Sequence, residues 1–197
     1  MRVIGALPQA VSAEAFRRAV HLIETGPEPE DEAALDATLL AAQMVVERAT
    51  NRPLGAREIE LATELPAGVG RWWLPCAPVT EVLTLSYDPG DGPVALDPGQ
   101  AALRFAQDEP RLDFASGALP AGAGARIVLR ARAGAEAAAP EAAVMRQAII
   151  LIAKEWHEAG ISIGEGDARA ALPRMSFGAQ ALIRSVRYLA PQFTGGI

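Results

Sequence analysis

The middle of the chain, residues 56–132, breaks into short alternating runs cut by turn residues, and this most narrows the fold. Ile59, Leu61, Thr63 and Leu65 alternate with polar neighbours, the period-two pattern of a half-buried strand. Further short strands are predicted at 72–74, 79–87, 94–96, 103–105, 111–114 and 126–131. Turn signals separate them: Pro66-Ala67-Gly68, Asp88-Pro89-Gly90-Asp91-Gly92, Asp97-Pro98-Gly99, Ser116-Gly117 and Gly122-Ala123-Gly124. Connections this tight join antiparallel strands, because parallel pairing needs a long crossover.

On either side the spacing is helical. Ser12 can cap a helix whose stripe is Phe16, Ala19, Val20 and Ile23, stopped by Gly26-Pro27. The acidic cluster Glu28, Glu30, Asp31, Glu32 suits the positive end of a second helix dipole. That helix continues through Leu35, Leu39, Ala42, Val46 and Ala49 to Arg48 and Arg52, before Pro53. Pro140 opens a third, with Met145, Ile149, Ile152 and Trp156 in one stripe and Val144, Ala148 and Leu151 beside it. Residues 178–188 can form a last short helix. The expected fold is α+β: a helical core domain of about three main helices (12–25, 30–52 and 140–159) with an inserted antiparallel β region at 56–132. Residues 1–159 make the core domain and 160–197 an extended C-terminal tail, since that tail is glycine-bearing and short of contiguous apolar residues.

With 197 residues the chain can build one good core. Its net charge is -6, whereas a duplex-binding domain of this size shows a basic face, so nonspecific binding to DNA phosphates is not expected. The balance is uneven, acidic from Glu24 to Asp36 and basic toward the end. Nothing approaches the roughly 20 apolar residues that span a bilayer, so no membrane partner is expected. Met1–Ala10 lacks the basic leader and apolar core of a secretory signal, which points to synthesis in a cytoplasm.

Reactive groups do not converge. Cys76 is the one cysteine, which excludes an internal disulfide and a cysteine-based zinc cluster. It lies between prolines and reads as a small buried thiol. His21 and His157 sit on separate predicted helices, and His157 suits the negative end of its helix as a simple cation. No ligand spacing for a metal is present, and the glycine pairs lack the lysine and hydroxyl residue of a phosphate loop. No catalytic residue, metal or cofactor is therefore expected. The alternative is a small cytoplasmic enzyme or regulatory protein with a site of scattered carboxylates.

Three segments carry a resemblance. Asp31-Glu32-Ala33-Ala34-Leu35 leads to Val45-Val46-Glu47-Arg48-Ala49-Thr50-Asn51-Arg52; Pro75-Cys76-Ala77-Pro78-Val79-Thr80-Glu81-Val82 enters a strand. The third is Ala148–Trp156, followed by Leu172-Pro173, Phe177–Ile183 and Arg187-Tyr188. In this order they resemble the phage head–tail connector (adaptor) family, with the alanine- and arginine-rich character closest to the adaptor of a gene transfer agent particle. Asn51 stands where that family often has glycine, and the Ala/Gly/Pro-rich middle departs from its pattern.

The resemblance implies a homo-oligomeric ring, a dodecamer matching the portal, in the neck of a virion or phage-like particle made in a bacterial cytoplasm. Its partners would be the portal protein, a tail-side stopper or head-completion protein, and DNA passing through the channel without sequence-specific contacts. The portal-binding residues would lie in the tail: the cations Arg169, Arg174, Arg184 and Arg187, with Phe177, Leu182, Ile183 and Tyr188 as apolar anchors that fill partner pockets.

Overall fold

The computed structural model describes residues 1–21, 29–66, 69–88, 92–119, 125–159 and 175–191. It divides into two units that interleave along the chain. A sheet unit takes Met1–Pro8, Asn51–Ala135 and Tyr188–Ile197; a helical unit takes Gln9–Thr50 and Glu136–Arg187.

Among the described residues the sheet unit holds eight strands: β1 (Arg2–Ile4), β2 (Arg57–Leu65), β3 (Arg71–Trp73), β4 (Val79–Asp88), β5 (Val94–Ala95), β6 (Ala101–Arg104), β7 (Arg111–Phe114) and β8 (Ala125–Ala133). They form a five-stranded sheet ordered β1-β2-β8-β4-β5 and a three-stranded sheet ordered β3-β7-β6, antiparallel throughout. One core joins the inward residues of both: Ile59, Leu61, Leu85, Ile127 and Leu129 from the larger sheet, Trp72, Leu112 and Phe114 from the smaller. All the strands expected from alternation are present. β1 was not expected, because three residues are too few to show a period. Beside β8, Gly134 takes φ +130, and a side chain there would collide with the carbonyl of Gly55.

The helical unit holds α1 (Ala13–Ala19), α2 (Pro29–Thr50), α3 (Pro140–Glu158) and α4 (Phe177–Val186). Ser12 caps α1, its hydroxyl accepting the Ala15 N–H at 3.2 Å. This first helix is shorter than the expected 12–25: Val20 is its C-cap and His21 turns left-handed at φ +56, while Ile23 and Gly26-Pro27 lie outside the described residues. Along α3 the expected stripe of Met145, Ile149, Ile152 and Trp156 is buried in full. On α2 the buried Gln43 accepts the Ala10 N–H at 2.9 Å and donates to Glu47 at 2.9 Å, so its amide is satisfied on both sides.

Where α2 ends, Asn51 has φ +55. A helix commonly terminates on one left-handed residue, glycine first and asparagine next, so asparagine meets the backbone requirement that glycine meets elsewhere. Of the C-terminal tail, 160–174 and 192–197 lie outside the described residues. Residues 177–186 are not extended: α4 packs on α3 through buried Ala179 and Ile183. The short helix expected at 178–188 is therefore present, and it has no core of its own but shares that of α3.

Candidate protein-interaction surfaces

The reactive side chains are placed for packing. Cys76 is buried, and burial pushes its thiol up to about 12, which removes the thiolate needed for nucleophilic chemistry. His21 and His157 are exposed, His157 in the last turn of α3. Among the described residues no group of His, Cys, Asp and Glu could hold a metal ion, and no helix is long and apolar enough to cross a membrane.

The outward face of the larger sheet is a lattice of charge. Its central strand β8 presents Arg126, Arg130 and Arg132, each opposite a carboxylate on a neighbouring strand. Arg132 lies between Glu58 and Glu81, Arg126 between Glu64 and Asp88, and Arg130 beside Glu60. Arg132–Glu81 closes at 3.0 Å and Arg130–Glu60 at 3.3 Å. Alternation puts these residues on one face, and the antiparallel register brings opposite signs side by side. Three arginines stand against five carboxylates, so the face offers no basic stripe to phosphates.

The smaller sheet builds a different feature. The Arg111 guanidinium lies 5.1 Å from the ring centroid of Trp73 and 4.9 Å from that of Phe105. Asp113 fixes it from the side, accepting from Arg111 at 3.1 Å and from Arg71 at 3.2 Å. Phe105 is 63% exposed and has φ +49, a conformation that costs a bulky residue about 1–3 kcal/mol. Backbone bonds hold the loop: Val79 N–H donates to Ala106 at 2.9 Å, and Glu109 N–H to Phe105 at 3.1 Å. Gln107, Asp108 and Glu109 are exposed after it.

The predicted portal-binding residues divide. On α4, Phe177 is 81% exposed and shares the outward face with Arg184 two turns on; Arg187, past the helix end, is also exposed. Ser176 caps this helix on the Ala179 N–H at 3.2 Å, and Glu155 accepts the Ser176 N–H at 3.2 Å. Leu182 is half-buried and Ile183 buried. Tyr188 is buried in the sheet unit: its hydroxyl donates to the Leu74 carbonyl at 3.1 Å, and its own carbonyl accepts from Asn51 at 3.0 Å. Burial pushes its phenol up to about 12. To fill a partner's pocket, Ile183 and Tyr188 would have to leave these positions. Arg169 and Arg174 lie outside the described residues.

Among the exposed apolar features that escaped the sequence reading are Phe105, Leu189 at 67% and Met44 at 58%. Met44 was legible, since Ala33, Ala37, Leu40, Ala41 and Met44 form a second apolar stripe on α2, opposite Leu39 and Val46. The exposure of Phe105 was not, because its strand pattern gives no sign of a left-handed residue at the strand's end.

Solved structures of gene transfer agent (GTA) particles contain chains similar to this one. The likeness is 28% identity and TM-score 0.69 in the neck of an empty GTA particle computed with C6 symmetry. It is 29% and 0.66 in the virion of a native particle, and 28% and 0.64 in a native neck computed with C12 symmetry. Each match covers 98% of this chain and 97% of the other. No protein-family model and no curated protein matches the chain. The chain is thus similar over nearly its whole length to chains of GTA necks and virions, in line with the head–tail connector resemblance of its sequence.

Proposed function

We propose that this chain is a head–tail adaptor: it forms a ring beneath the portal, joins capsid to tail, and leaves a passage for DNA. Its role is structural and not enzymatic, in the neck of a tailed-phage-like particle. The observation that carries this reading is the end-to-end likeness to chains of GTA necks and virions. The carboxylate-rich sheet face supports the passage of DNA without adhesion, since it presents no uncompensated row of arginines to phosphates. A twelve-copy ring would match the portal, with a tail-side stopper or head-completion protein received on the other side.

The portal contact is assigned to the exposed part of the C-terminal region, Phe177, Arg184 and Arg187, with Arg169 and Arg174 in the segment before α4. Truncation at residue 160 would be a poor test, because it also strips Ile183 and Tyr188 from the folded units. The surface triple substitution Phe177→Ser, Arg184→Glu, Arg187→Glu avoids that problem. We expect it to leave the melting midpoint within a few degrees of wild type and to yield heads without tails in electron micrographs. Normal tailed particles from the triple variant would remove the portal contact from these residues. Particle necks lacking this chain altogether would remove the adaptor reading itself.

A further inference from the structure

Helix α2 is apolar on two sides, and a helix of that kind is normally covered on both. Leu39, Ala42 and Val46 are buried. On the other side Ala33, Ala37, Leu40, Ala41 and Met44 run as an unbroken stripe that is exposed or half-exposed and ends on the exposed cation Arg48. The sheet unit carries a feature of opposite character: the exposed ring of Phe105, followed by the exposed acids Asp108 and Glu109.

A ring of identical copies needs two different patches on each chain, because a head-to-tail contact never pairs a surface with itself. We propose that the 105–109 loop of one copy docks on the outer face of α2 of the next, Phe105 against Leu40 and Met44, with Asp108 and Glu109 toward Arg48. This rests on the reading of the chain as a ring-forming adaptor. The occupant is a second copy because the two patches complement each other in charge and both carry uncovered apolar surface. The loop is held in shape before it docks, since Arg111 is stacked between Phe105 and Trp73, and Val79 pins Ala106. A ring already fixed in place loses little freedom on binding.

Full-length chains carrying Met44→Cys and Phe105→Cys together, assembled into particles and mildly oxidised, test the contact. A ladder of disulfide-linked multimers on a non-reducing gel, absent from either single variant, is expected. Intact necks that yield only monomer overturn the contact and leave the adaptor reading standing. Wild-type necks without this chain overturn both. Where the cysteine pair blocks assembly, a charge exchange decides. Asp108→Arg with Glu109→Arg should lower the yield of tailed particles about tenfold or more, and adding Arg48→Glu should recover most of it. An unchanged yield, or a loss that Arg48→Glu leaves in place, overturns the contact.

Discussion

The sheet unit and the helical unit bury their apolar residues by different routes. In the sheet unit large side chains from two sheets meet in one core, while alternation sends many charged residues outward. The helical unit relies on small residues at its contacts, Ala42, Ala142, Ala148, Ala153 and Ala179, around a few large ones such as Phe16, Met145, Ile152 and Trp156. A strand has one inward and one outward set by geometry, so its solvent face can be wholly polar. A helix divides its surface by composition alone, and in α2 the division is incomplete. The difference explains why charge is paired on the sheet, while α2 carries an exposed apolar stripe.

Substitutions can break this comparison. The largest effect is expected for Trp156→Ala, which removes the biggest buried side chain of α3 and should cost about 3–5 kcal/mol in urea unfolding. An unchanged midpoint would contradict its burial. Enlargement should then separate the units. Ala179→Leu, where α4 meets α3, should cost about 1–3 kcal/mol by overpacking. Ala62→Val on the exposed face of β2 should stay within about 0.5 kcal/mol in the same assay. Equal costs at the two sites would erase the distinction between small-residue contacts and an open sheet face.

Alkali addresses the sheet unit. Cys76 and Tyr188 both belong to it, and burial raises both from ordinary values of 9.0 and 10.0 to about 12. The folded state keeps protons that the unfolded chain releases first. Their contribution to stability is therefore complete below pH 9 and is lost as pH rises from about 9 through about 12. The melting midpoint should fall across that window, and Cys76→Ala with Tyr188→Phe should flatten the fall. Particle assembly should survive Cys76→Ala and His157→Ala, since neither group is placed for chemistry. The smallest effect is expected for Glu81→Gln, which opens an exposed pair with Arg132 and should cost less than about 1 kcal/mol, vanishing at high salt. A larger, salt-independent loss would mean that the charge lattice acts as a unit.

The sequence by itself determined the order of the main elements, the antiparallel sheet between helices and the buried stripe of α3. Each follows from periodicity, turn residues or residue type, which are local properties. The order of its motifs also carried the resemblance to head–tail connectors. Only the tertiary structure decided the rest. That Tyr188 closes the sheet unit, bonded to Leu74 and Asn51, depends on residues 114 and 137 positions away, and no local pattern encodes so distant a pairing. That α4 folds onto α3 depends on the shape of a neighbouring helix. The charge lattice needed the register of β2, β8 and β4, because a slip of one residue would turn those arginines inward. Phe105 needed a backbone angle set by the bonds that pin its loop, and so the strongest candidate for a contact between copies came from geometry and not from composition.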